Sequence, residues 1–377
     1  MKYKRILVFV FAAMLSVLLS ACGGAPPATN WPGVASDGKN VYITNVSYVY
    51  TVHLSDGLPI TVTNPDGSSA PMHFPAASDS NISFYTAPAF TPDGQMIVGN
   101  GLASGADLTP RLLYSLDPAT DVQKWSFPES TGSWLSSVVI GSDTIYGASG
   151  DGKVYALALN GTKRWATQVS QQPLWSSPVT DGKHVFVGTV DHQLVALDAQ
   201  TGQQTWKIDL NASLLASPAL TADGTLYVGT IAGDLYALKS ADGSKIWHVT
   251  LDGNIWSAPA VDGLQLYIGT SKGTAGTFYA INTADGTTAW THDQPDSIIA
   301  SPLVLPDQVI YVSDGGHVQS LNRNGTSKWV ADIQGAKIDT APILAGNLII
   351  VAPMQTQFIL AAYDQNGAQK WTFTPGK

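Results

Sequence analysis

One cysteine, seven histidines and twenty-eight acids are the residues of this 377-residue chain with the most obvious capacity for catalysis or metal binding. Their types and spacing point elsewhere. Cys22 stands alone, which excludes an internal disulfide, a CxxC redox pair, a c-type haem attachment and a thiolate zinc cage. His53, His73, His184, His192, His248, His292 and His317 are scattered at unrelated positions, whereas a metal site needs ligands that converge. Gly269-Thr270-Ser271-Lys272-Gly273 has the form G-x-S-x-G. A nucleophile elbow requires strand, turn and helix; this segment lies between two strand-like runs and reads as a hairpin. Of the 28 acids, 27 are Asp and only Glu129 is Glu. Asp favours turns where Glu favours helices, and Asp-Gly or Asn-Gly recurs at 37, 93, 151, 223, 242, 262, 285, 324 and 366. The acids therefore read as turn chemistry, and the expectation is no catalytic set, no metal and no cofactor.

The composition says what must carry these turns. The chain has 36 Gly and 22 Pro, is 44% hydrophobic and only 12% charged, and has a formal net charge of −9. Disorder and a mostly helical fold are excluded, and the acid excess argues against nucleic acid. Self-similarity is pronounced. Trp125, Trp165, Trp206, Trp247, Trp290, Trp329 and Trp371 recur at spacings of 40, 41, 41, 43, 39 and 42. A second marker, a pair of small residues stepping into an apolar strand, advances with them: Thr86-Ala87-Pro88, Ser136-Ser137-Val138, Ser176-Ser177-Pro178, Ala216-Ser217-Pro218, Ser257-Ala258-Pro259, Ala300-Ser301-Pro302 and Thr340-Ala341-Pro342.

Residues 175–210 show the grammar of one unit. Trp175 to Thr180 is a short strand, and Asp181-Gly182 a two-residue hairpin signal of the type I′ kind. Three further strands follow, over His184 to Thr189, Gln193 to Asp198 and Gln204 to Ile208. Four antiparallel strands in about 40 residues make one propeller blade. Seven Trp-bearing units are preceded by a degenerate one containing Val41 to Thr44 and Tyr50 to Leu54, with Thr61 where Trp is expected. The fold class is therefore all-β: an eight-bladed β-propeller of four-stranded antiparallel blades over residues 31–377. A seven-bladed ring with an irregular N-terminal arm is the alternative.

The N-terminus carries a different message. Lys2, Lys4 and Arg5 precede an almost wholly apolar run, Ile6 to Leu19, too short for a comfortable membrane span and suited to a secretory signal. Leu19-Ser20-Ala21-Cys22 resembles the bacterial lipobox, in which the Cys is lipidated and becomes the mature N-terminus. Residues 1–21 are then a lipoprotein signal peptide and residues 22–30, rich in Gly, Ala and Pro, a flexible tether. Removing 1–21 moves the formal charge from −9 to −12, so attraction to anionic lipid would not be the anchor; acyl chains on Cys22 would. In an organism with an outer membrane, Gly23 in place of Asp would fit sorting to that membrane.

The segments Val185 to Thr189, Ala196 to Trp206, Tyr236 to Trp247 and Tyr279 to Trp290 resemble the quinoprotein-type (PQQ-like) propeller repeat. With the lipobox, the whole chain resembles the propeller lipoproteins of bacterial outer-membrane β-barrel assembly. The resemblance implies that the seven repeat tryptophans dock blade to blade, with each indole N–H on a backbone carbonyl. It also raises quinone-dependent dehydrogenases, which carry a Ca²⁺-bound cofactor, a catalytic Asp and commonly adjacent cysteines. This chain has no Cys pair, and no cluster of oxygen ligands for a hard cation is evident.

One set of residues favours binding. Three residues before each repeat Pro (or Val138) stand Tyr85, Leu135, Trp175, Leu215, Trp256, Ile299 and Asp339, at the start of the innermost strand. They either plug the axis or form a ring that takes a peptide or protein. The expected function is a non-catalytic, extracytoplasmic, membrane-anchored scaffold, monomeric, for envelope proteins or peptides. In an organism with an outer membrane its natural role is assembly of outer-membrane proteins; with one membrane, an extracellular scaffold remains. The alternative is a binder of cell-wall glycan or a small ligand.

Overall fold

A computed structural model of the chain describes residues 32–63, 67–75, 82–102 and 110–376. The segments expected to be a signal peptide and a tether, with Cys22 between them, lie outside the described residues. All regular structure among those residues is β, arranged as eight antiparallel blades in a ring. The first blade contains Gly33–Ser36, Asn40–Asn45, Tyr48–His53 and His73–Phe74. The second contains Ala89–Phe90, Met96–Leu102, Leu113–Leu116 and Gln123–Phe127, with Ile82–Phe84 paired to the far half of its second strand. The fourth blade is typical of the rest: Val179–Thr180, His184–Gly188, Gln193–Asp198 and Gln204–Asp209. The outer strands of the remaining blades are Lys163–Gln168, Lys245–Thr250, Thr288–Gln294, Ser327–Asp332 and Gln369–Phe373. The eight-bladed reading is correct, and the N-terminal unit is a blade.

The Asp-Gly turns work differently from a type I′ hairpin. In the loop after Thr180, Gly182 takes the left-handed conformation (φ 84°), and Asp181 does not. Asp181 Oδ1 instead accepts from the amides of Lys183 and His184, at 2.8 and 2.6 Å. After the third strand, Asp198 Oδ1 accepts from the amides of Gln200 and Thr201 in the same way. A carboxylate one methylene from the backbone reaches these amides and Glu overshoots them, which accounts for the Asp excess.

Each Trp-bearing blade shifts register between its third and outer strands at one step, as between Ala196 and Leu197. This bulge sets the Trp opposite a small residue: Ser115, Ala156, Ala196, Ala237, Ala280, Ser320 or Ala362. The indole then reaches the next blade. Trp125, Trp165, Trp206, Trp247, Trp290, Trp329 and Trp371 donate their Nε1–H to the carbonyls of Leu159, Ala199, Ser240, Thr283, Arg323, Gln365 and Leu54, at 2.8 to 3.0 Å. Under the rings lie Gly161, Gly202, Gly243, Gly286, Gly325, Gly367 and Gly57, with φ between 71° and 87°. A Cβ on any of them would stand 2.4 to 3.0 Å from the indole, so the site requires glycine for space as well as for conformation.

Ring closure follows the same rule. Trp371 of the last blade docks on Leu54 and Gly57 of the first, Thr340 Oγ1 donates to the Pro32 carbonyl at 2.6 Å, and Val34, Ile43 and Val52 share a core with Ile350, Leu360 and Phe373. The first blade departs from the pattern in its outer strand. Thr61 does stand two residues past the Val52–Pro59 bridge, the spacing that elsewhere places Trp, but there the chain leaves the blade. Thr61–Thr63 pairs with Ser69–Pro71 as a projecting hairpin, and the strand resumes where His73 pairs Tyr50. Phe74 closes part of the gap against Tyr114, 5.0 Å between ring centroids.

Because a docked indole fills a space that no neighbour can enter, Trp206→Ala or Trp247→Ala should cost about 3–5 kcal/mol, read as a lowered thermal midpoint. Gly202→Ala, with its Cβ driven into the Trp165 ring, should lower the midpoint as well.

Candidate functional site

The innermost strands of neighbouring blades run side by side around the axis. Small residues make this approach possible, and their hydroxyls stitch it: the amide of Ser137 donates to Ser177 Oγ at 3.1 Å, Ser177 to Ser217 at 2.9 Å, and Ala258 to Ser301 at 2.9 Å. Two residues before each of these positions stand the ring candidates. The backbone there alternates strictly. In the fourth blade Leu174 and Ser176 are buried and Trp175 between them is exposed. In the sixth, Ile255 and Ser257 are buried and Trp256 is exposed.

The structure divides the ring. Trp175 and Trp256 are 40% and 39% exposed, with Leu215 of the intervening blade between them in ring order. Tyr85, Leu135, Leu215 and Ile299 are half-buried. Asp339 is the one ionisable member besides Tyr85. Its Oδ1 is buried without a hydrogen-bond partner, and burial, then the Asp314 carboxylate, push its pKa up to about 6 against the opposing pull of Lys337. Lys337 itself is held by Asp314, at 2.7 and 3.0 Å.

Register adds a position that the repeat markers do not reveal. Ala35 pairs Tyr42 as Val179 pairs Phe186, so Trp31 is the sequence counterpart of Trp175 in the first blade. Trp31 lies outside the described residues. Its signal was the run Trp31-Pro32-Gly33, where Pro and Gly replace the small pair. The sequence also left Trp134 unassigned. It is fully buried one residue before Leu135 and packs on Gly99 and Gly147, where the corresponding residues in other blades are Leu174, Leu214, Ile255, Ile298 and Ile338.

The other chemical candidates stay apart. Ser271 follows the strand Gln265–Gly269 in a hairpin, and its hydroxyl bonds Ser297 at 2.8 Å. Glu129 pairs with Lys163. His184 and His248 each meet one Asp, while His317 sits between Asp296 and Asp332. No group of three or more His, Cys, Asp or Glu among the described residues is placed to hold a metal ion. A Ca²⁺-bound quinone needs such a donor set, so these residues do not fit it. Two clefts of about 500 and 600 Å³ lie between the fifth and sixth and between the seventh and eighth blades; neither is lined by a ring residue.

Eight blades locked by indoles on left-handed glycines define a propeller of PQQ-like repeats. The family model described as outer membrane protein assembly factor BamB matches residues 111–214 and 194–374, and the chain belongs to that family. The crystal structure of BamB from Moraxella catarrhalis superposes with a TM-score of 0.65 at 19% identity, covering 85% of this chain and 90% of that one. The computationally designed Ika8 protein superposes at 0.69 with 12% identity, covering 92% and 97%. At these identities the likeness concerns the fold. No curated protein sequence matches the chain.

Since Trp175 and Trp256 are exposed where the seam tryptophans are docked, replacing both by Ala should lower the thermal midpoint less than Trp206→Ala alone. Acrylamide quenching of tryptophan emission should fall at the same time, because the two exposed indoles are gone.

Proposed function

We propose that the protein is a non-catalytic scaffold, held outside the cytoplasm by a lipid on Cys22, that binds protein partners during outer-membrane protein assembly. The observation that carries this reading is the pair of exposed indoles, Trp175 and Trp256, at the inner ends of alternate blades. Large apolar rings left exposed beside an axis of small residues are suited to act as binding hot spots. Membership of the assembly-factor family supports the setting. The client best suited to such a surface is an extended polypeptide with apolar side chains, which the indoles grip while outer blade edges offer backbone hydrogen bonds. The lipobox-like Leu19-Ser20-Ala21-Cys22 supports the anchor, and the tether after it would leave the ring free to turn toward partners.

Crosslinked pull-down of the protein from its own envelope tests the reading. The folded Trp175→Ala/Trp256→Ala variant should lose capture of assembly partners by on the order of tenfold or more, as loss of hot-spot side chains does. Undiminished capture would refute a role for the ring. The same exposed aromatics could instead hold a sugar, and retention on a glycan array that disappears in this variant would favour a glycan binder. Cys22→Ala should move the protein from the membrane to the soluble fraction, because acyl chains supply the membrane affinity.

A further inference from the structure

Seven of the eight seams contain a tryptophan on one wall and a left-handed glycine on the other; the seam between the first and second blades contains neither. Its first wall loses the indole to the projecting hairpin. On its second wall the turn Asp117-Pro118-Ala119-Thr120-Asp121 corresponds to Asp198-Ala199-Gln200-Thr201-Gly202, and Asp121 occupies the glycine position in the same conformation, φ 54°. At the other seams a Cβ in that position would run into the indole. At Asp121 the same direction carries a carboxyl group into the space that the indole vacates.

That carboxyl group is buried, with Asp121 only 8% exposed, and neither oxygen has a hydrogen-bond partner. Opposite it, Thr51 takes the place of the small residue that faces Trp elsewhere, and its hydroxyl is likewise buried and unpartnered. Elsewhere this seam is crossed by ordinary hydrogen bonds, from Thr44 Oγ1 to the Thr86 carbonyl, from Ser47 Oγ to the Ile82 carbonyl and from the Phe84 amide to the Val46 carbonyl, but at the indole's place there is only Tyr42 of the first blade. Its hydroxyl reaches the Pro118 carbonyl at a long 3.4 Å while donating to Asp37 at 2.8 Å. The charge acting on Asp121 is that of Asp117 on its own turn, and Asp121 in turn acts on Tyr42 of the first blade, which is bonded to Asp37. Burial, followed by the charge of Asp117, pushes its pKa up to about 7. Burial, and with it the charges of Asp37 and Asp121, also holds the Tyr42 phenol protonated.

We propose that the seam between the first and second blades is a proton-operated latch in the ring: a neutral Asp121 closes it, and an ionised Asp121 weakens it. The direction follows from linkage. A carboxyl whose pKa is higher in the closed seam than its ordinary value near 4 favours closure fully below that value, and the contribution is lost as pH rises through about 7. The other seven seams contain an indole and a glycine at the matching positions and lack this sensitivity. The ring is therefore built to loosen at one fixed place, beside the hairpin, and the latch is independent of what Trp175 and Trp256 bind.

Hydrogen exchange of the full chain, corrected for the intrinsic rate, tests the latch. Peptides covering 40–45 and 113–122 should open on the order of tenfold more at pH 8 than at pH 5.5. Peptides covering the Trp206 and Trp247 seams should change little. Asp121→Asn keeps the shape, tolerates the backbone and should abolish the difference; Asp339→Asn, which neutralises another acid with a raised pKa, should leave it. A uniform pH response at all eight seams would overturn the proposal without any variant, as would a response retained in Asp121→Asn. A seam that tightens on adding Ca²⁺ at fixed pH 8 would assign neutralisation to a cation in place of a proton.

Discussion

Everything in this ring depends on one contact repeated seven times: an indole laid on a left-handed glycine, its N–H on the carbonyl two or three residues before. The contact has three simultaneous requirements. The bulge must turn the Trp outward, the residue opposite must be small, and the glycine must lack a Cβ at a φ that other residues avoid. Each blade would otherwise be a small sheet with two uncovered faces, unable to form a core alone. The indole covers apolar area and satisfies a polar group in one step, so it fixes both the distance and the angle to the next blade. Because the last Trp finds its carbonyl on the first blade, the same contact also closes the circle.

How much of this was legible depends on whether a feature repeats. The tryptophans and the small-residue steps could be counted, and the blade number followed from them. The glycines were visible as turn residues, but their second duty under the indole was not, since spacing along the chain says nothing about which blade a turn touches. Thr61 was correctly noticed as a missing Trp. That the chain leaves the blade there as a hairpin could not be read, because neither strand of that hairpin has strong apolar alternation. Asp121 was invisible for a different reason. Within a turn, Asp is ordinary, and only the three-dimensional alignment with Gly202 makes it an exception. Trp31 escaped because Pro and Gly stand where the small pair was sought, and only strand register restores the correspondence.

The candidate site was legible in outline and sharpened by burial. Seven residues share one register position, yet their environments differ widely. Alternation of burial along the segment that leads into the inner strand sets the ring residue apart from its buried neighbours, and the blades decide whether it meets solvent. Leu135, Leu215 and Ile299 are half-buried there, whereas Trp175 and Trp256 are exposed. Half-buried and exposed side chains thus occur together, in different members of one ring. Asp339 differs in kind: a buried carboxyl with one unpartnered oxygen beside a Lys–Asp pair.

A repeat architecture spreads its stability evenly, and evenness is uninformative about function. Seven equivalent seams cannot say where a partner docks or where the ring yields, since any argument for one applies to the others. Specific behaviour has to reside in departures from the repeat, and these fall into two kinds. At the ring, the departure is an aromatic side chain that leaves more than a third of its surface exposed. At the first seam, the departure removes the indole and the glycine together and leaves polar atoms unpaired on both walls. The paired loss matters: with the glycine kept, the vacated space would be a simple cavity; with the indole kept, Asp121 could not fit. The two substitutions are compatible only with each other, and what they leave is a seam with a buried carboxyl group where the others have a ring, which is why the proposed response to protons is assigned to this junction.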